Sequence, residues 1–151
     1  PYNLFQETIN TFNMTINEIQ DEIIEEFNVF DDWMDKYSLI IDMGNNLTPL
    51  DEQYKTNQNL IEGCQSRVWI TAQMKDGKVH FEGESDAIIV KGIVSLLFRV
   101  LNNQTPSDIL NNELYFIKEI GLQEHLSPTR SNGLVSMLKQ MKLFAATFAA
   151  K

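Results

Sequence analysis

The 151 residues, 43% of them apolar, make a chain of single-domain size. Chains of this length bury roughly 70% of their unfolded surface, so neither disulfides nor a structural metal are required to hold them. The 21 acidic and 12 basic residues leave a formal charge of −9, which argues against a phosphate-backbone binder and against docking on an anionic membrane leaflet.

The same charge serves solubility, and it also suits steering toward a basic partner surface. One cysteine cannot form an internal disulfide, which fits a reducing compartment. No run approaches the ~20 apolar residues of a membrane span. The start, from Pro1 to Gln6, has neither the basic nor the apolar region of a secretory signal, so a cytoplasmic location is expected. Met14 reads as an initiator. Residues 1–13 are set aside as an N-terminal extension or a vector-derived remnant, and 14–151 are expected to form one domain.

Thr15 with Glu18 reads as a capping box opening a helix over 16–28, with Ile16, Ile19, Ile23 and Phe27 on one face. A second helix is predicted over 33–43. Asp31 or Asp32 caps it, Trp33, Tyr37, Ile40 and Ile41 form its stripe, and Gly44 ends it. The polar stretch 45–59, with Pro49, reads as an extended loop. Residues 67–73 are rich in strand formers, Asp76-Gly77 supplies a hairpin turn, and 79–84 return. Two strands are marginal alone, so a covering helix or a third strand is needed, for which Asn59 to Glu62 is the candidate.

A long helix is predicted over 86–102 with Ser85 as its cap and Ile89, Ile93, Leu96, Leu97 and Val100 as its core stripe. Thr105-Pro106 opens a short helix and Ser127-Pro128 the last one, proline standing where a missing N–H costs nothing. Leu134, Leu138, Met141, Ala145 and Phe148 make the apolar face of that last helix. Gly133 inside it costs up to ~1 kcal/mol against alanine, which implies close packing against a partner the sequence does not name. The whole predicts an α+β fold, a small antiparallel sheet packed against several helices.

Cys64 lies in Glu62-Gly63-Cys64-Gln65-Ser66, between two candidate strands. A lone cysteine is most often a small buried hydrophobe. A loop position beside a glycine favours a reactive role instead. His80 alternates with Val79 and Phe81 and belongs to a solvated strand face. His125, just before the last helix, would make a thiol enzyme of a small substrate if it met Cys64, a reading that nothing in the spacing requires. One cysteine and two scattered histidines offer no metal-ligand spacing, and there is no phosphate-binding glycine loop, so no metal and no cofactor are expected. A purely structural interaction domain is the third reading.

Three stretches in order resemble the SufE family, which includes the CsdE proteins: Gly63-Cys64-Gln65-Ser66-Arg67-Val68-Trp69, Ser85-Asp86-Ala87-Ile88-Ile89-Val90-Lys91-Gly92, and Leu126-Ser127-Pro128-Thr129-Arg130-Ser131-Asn132-Gly133-Leu134. The match runs from about Glu18 to Lys142. It implies a fold shared with IscU-type scaffolds. It also implies a sulfur acceptor that takes a persulfide onto Cys64 from a pyridoxal-phosphate cysteine desulfurase, SufS-like or CsdA-like. Such an acceptor stimulates that enzyme and passes sulfur to a SufBCD-type complex. A cluster scaffold needs several ligands, and this chain has one cysteine. By the same resemblance Arg130 supports the thiolate or persulfide, Gly63, Gln65 and Ser66 shape the loop, and Asp86, at the long helix's start, stabilises that helix or aids docking. A persulfide is easily lost to thiols and oxidants, so the thiol is expected to lie largely buried under its own loop.

Overall fold

The computed structural model describes residues 14–151, and the extension assigned to 1–13 lies outside them. Helix α1 (Ile16–Asn28) opens on the expected capping box: Thr15 Oγ1 accepts from the Glu18 N–H and Glu18 Oε1 from the Thr15 N–H, both at 3.1 Å. Ile16, Ile19, Ile23 and Phe27 are buried along one face. Helix α2 (Trp33–Asn45) is capped by Asp32, whose Oδ1 accepts from the Met34 N–H at 3.0 Å. Gly44 does not end this helix but is buried within it, two residues before the Asn46 cap. A Cβ there would stand 2.7 Å from the backbone nitrogen of Gly92, so the glycine serves a close helix crossing.

The segment after α2 carries two short 3₁₀ turns, Glu52–Tyr54 and Asn57–Asn59. Glu84 ties it to the sheet: its carboxylate accepts from the Leu50 N–H at 3.1 Å and pairs with Lys55 at 2.6 Å. Strands β1 (Val68–Lys75) and β2 (Lys78–Ser85) pair antiparallel, from Val68 opposite Ser85 to Lys75 opposite Lys78. Both central residues of their turn have positive φ, 54° at Asp76 and 79° at Gly77, as a type I′ hairpin requires. The expected third strand is reduced to one bridge between Leu60 and Trp69, with the Ile61 N–H donating to the Val68 carbonyl at 2.8 Å. Gly63, at φ +89°, then turns the chain away from the sheet.

Cover comes from helix α3 (Ile88–Leu101), which packs on β2 and on α2. Ile93, Leu96, Leu97 and Val100 are buried, and so are Val94, Phe98 and Leu101, so the helix is apolar nearly all round. It begins two residues later than expected, at Ile88 with Ala87 as cap. Ser85 is held in the ladder opposite Val68, and its Oγ accepts from the Ala87 N–H at 3.2 Å. Arg99 joins α3 to α1 through the Glu22 and Glu26 carboxylates. Burial opposes its charge, but these two partners prevail and hold the guanidinium protonated.

Helix α4 (Pro106–Asn111) is capped by Thr105 and packs on the last helix. Two four-residue helices, α5 (Phe116–Glu119) and α6 (Leu122–His125), follow where the sequence pattern predicts no element. The buried Gln20 of α1 fixes the start of α5, accepting from the Phe116 N–H at 3.1 Å and donating to the Glu113 carbonyl at 3.0 Å. Helix α7 (Pro128–Ala149) opens on Ser127, which accepts from the Arg130 N–H, and packs on β1 and α3. Leu134, Met141 and Ala145 on its inner face are buried. No helix of the described residues is long and apolar enough to cross a membrane.

Candidate functional site

Cys64 follows the turn at Gly63 and precedes β1 by four residues. Both sides of this loop rest on α7. A Cβ on Gly63 would stand 2.6 Å from Ser136 Oγ, and one on Gly133 would stand 3.4 Å from Cys64 Sγ. The Cys64 thiol points to the Gly133 carbonyl, which accepts from it at 3.7 Å. The packing partner implied by Gly133 is therefore the cysteine itself. The thiol is half-buried rather than largely buried, and helix α7 shares the covering with the loop. Partial burial pushes its pKa above the ordinary thiol value, because the thiolate loses hydration there.

A cavity of about 280 Å³ opens at the thiol. The loop contributes Cys64, Gln65 and Ser66. Ser127, the cap of α7, and Thr129, Arg130, Gly133 and Met137 within that helix contribute another wall, and α3 contributes Val90. Arg130 thus lines the same cavity as Cys64, in the first turn of a 22-residue helix whose free N–H groups add positive potential. Spacing along α7 gives the rest of this wall: Arg130, Gly133 and Met137 stand at i, i+3 and i+7, one helix face. Nothing local to Met137 distinguishes it in the sequence, since its place beside the thiol depends on the fold.

The other sequence candidates fall elsewhere. Gly63 lines a neighbouring cavity of about 670 Å³ with Ser136 and Lys139. Asp86 is not the start of α3. Its Oδ1 accepts from the Arg67 N–H at 3.1 Å and its own N–H donates to the Arg67 carbonyl at 3.2 Å, which closes the open end of the hairpin three residues after Cys64. Asp86 therefore fixes where the cysteine loop meets the sheet. His80 lines a groove of about 420 Å³ with Phe81 and Asn102. His125 is absent from the lining of the cysteine cavity. Its ring stacks on Trp33 with centroids 4.0 Å apart, its Nδ1 lies 2.9 Å from the Gly121 carbonyl, and its own carbonyl accepts from the Tyr37 hydroxyl. No group of three or more His, Cys, Asp or Glu that could hold a metal ion occurs among the described residues.

Chemically, the cavity offers one thiol, one cation and, among the described residues that line it, no histidine or carboxylate to serve as a base. A thiol of this kind attacks a sulfur–sulfur bond once deprotonated, whereas hydrolysis would require a general base beside it. The family model for the SufE Fe-S metabolism associated domain matches residues 21–145. A SufE-like protein of Rhizobium meliloti (strain 1021), itself uncharacterized, is 39% identical over 127 residues, covering 81% of this chain and 91% of the relative. Among solved structures, the solution structure of a hypothetical protein from Thermus thermophilus superposes with a TM-score of 0.73 at 19% identity, over 88% of this chain and 97% of that one, a likeness of fold.

Proposed function

The chain belongs to the SufE family of Fe–S metabolism associated domains, and on that premise we propose that it is a persulfide carrier working on Cys64 in the cytoplasm. The donor is a pyridoxal-phosphate cysteine desulfurase, SufS-like or CsdA-like, whose turnover the carrier stimulates by removing its product sulfur. The receiver is a SufBCD-type assembly complex. The observation that carries the reading is that the chain's single cysteine lies on a loop at a cavity it shares with Arg130.

The transfer balances without an oxidant. Cys64 loses its proton, and the thiolate attacks the outer sulfur of the desulfurase persulfide. A new sulfur–sulfur bond forms on Cys64, the old one breaks, and the desulfurase cysteine leaves as a thiolate. In the free protein burial keeps the proton on Cys64 and the Gly133 carbonyl accepts from it, so the carrier rests in its unreactive form. Docking supplies the missing step by bringing the loop into an environment that removes the proton. Arg130 then faces the persulfide anion that results.

Mass spectrometry after incubation with a desulfurase and cysteine tests the reading. The Cys64 peptide gains one sulfur atom, the desulfurase turns over cysteine faster when the protein is added, and Cys64→Ser abolishes both effects. A wild-type protein that gains no sulfur and leaves turnover unchanged overturns it.

A further inference from the structure

Gly133 of α7 meets the sulfur directly, and its lack of a side chain has no part in the transfer chemistry of the persulfide carrier. A Cβ at this position would contact Sγ at 3.4 Å and the Cα and Cβ of Cys64 at 3.9 Å each. Gly133 is buried, in the second turn of a 22-residue helix where nothing in the backbone asks for glycine. Alanine is the better helix former at such a position. Its absence keeps the helix-facing side of the sulfur open toward the cavity lined by Arg130 and Met137.

Resting on the carrier reading, we propose that Gly133 is a positioning residue which reserves the space into which the outer sulfur of the Cys64 persulfide turns, so that the sulfur is carried against α7 instead of pointing to solvent. The outer sulfur sits about 2 Å from Sγ and swings around the Cβ–Sγ bond. A methyl group in van der Waals contact with Sγ closes the part of that circle that faces the helix. The bare thiol, with only a hydrogen there, still fits. An alanine therefore discriminates between the two states of the same cysteine, which a general packing role does not.

The test compares wild type with Gly133→Ala, each charged on Cys64 with sodium tetrasulfide, so that no desulfurase is needed. The thiolate takes the terminal sulfur and trisulfide leaves. Three quantities are read: thermal midpoint, iodoacetamide alkylation of the uncharged thiol, and the lifetime of the persulfide against dithiothreitol by mass spectrometry. The variant is expected to melt no lower than wild type and to be alkylated within about two-fold of its rate. Its persulfide is expected to disappear about ten-fold faster, the size that one overpacked methyl produces. An unchanged lifetime overturns the proposal. So does a faster loss matched by equally faster alkylation, which means that the methyl has lifted the loop. Failure of wild type to take sulfur from a desulfurase, with tetrasulfide charging intact, counts against the carrier reading and leaves this comparison standing.

Discussion

At the scale of single residues, the proposed transfer rests on a thiol that its surroundings hold back. Burial raises the Cys64 pKa, so the folded protein favours the protonated form and thiolate appears only as pH climbs past the ordinary thiol range. Iodoacetamide alkylation followed against pH is expected to have its midpoint above that of glutathione. The sign for stability follows: with the folded pKa raised, the contribution is complete below the unfolded thiol's pKa and is lost as pH rises through the folded one. A midpoint at or below glutathione's would mean that Arg130 and the α7 N-terminus already outweigh burial in the free protein. The cysteine was legible in the sequence from its loop and its neighbours. Its relation to Gly133 was half legible: the cost of a helical glycine pointed to close packing, but a contact across 69 residues leaves no trace in local pattern. Asp86 misled for a clearer reason. Ser-Asp-Ala before an apolar run is what a helix start looks like, and only the ladder pairing of Ser85 with Val68 assigns it to the hairpin.

Among the elements, the helices that local chemistry determines were legible, since the Thr15 and Glu18 box, the Asp32 cap and the Pro106 and Pro128 starts need no distant partner. The crossing of α2 over α3 is the opposite case. Gly44 looked like a stop because glycine after a periodic stretch usually is one, whereas it faces Gly92 on another helix. Two positions before Gly92 on α3, Val90 lines the cysteine cavity. A methyl on Gly92 would collide with the Ile40 carbonyl, backbone that cannot rotate aside. Gly92→Ala is therefore expected to lose about 2 kcal/mol or more of stability despite the gain in helix propensity. Urea unfolding reads this as a lower midpoint at unchanged slope. An unshifted midpoint would mean that the helices separate freely. The helices α5 and α6 left no signal in the sequence because four residues are too few to show a period.

For the whole molecule, the charge of −9 is the property left without a local explanation. Steering and solubility predict different salt responses. If the charge steers the chain to a basic desulfurase surface, sulfur uptake at limiting concentrations slows as the Debye length shrinks from about 30 Å at 0.01 M to about 3 Å at 1 M salt. Uptake from anionic tetrasulfide should instead quicken, since screening relieves repulsion. A desulfurase rate indifferent to salt leaves solubility as the whole account. The fold class followed from the order of elements, but the sheet did not: the segment before Cys64 keeps one bridge because Gly63 sends the chain onto α7 instead of along β1. That diversion has a consequence for oxidation. An intermolecular disulfide needs two Cα atoms within about 7 Å of each other, and the Cys64 thiol is half-buried against α7. With one cysteine in the chain, covalent dimers formed in air can only join two copies of Cys64, and the rate at which they accumulate reads how readily that half-buried sulfur meets another.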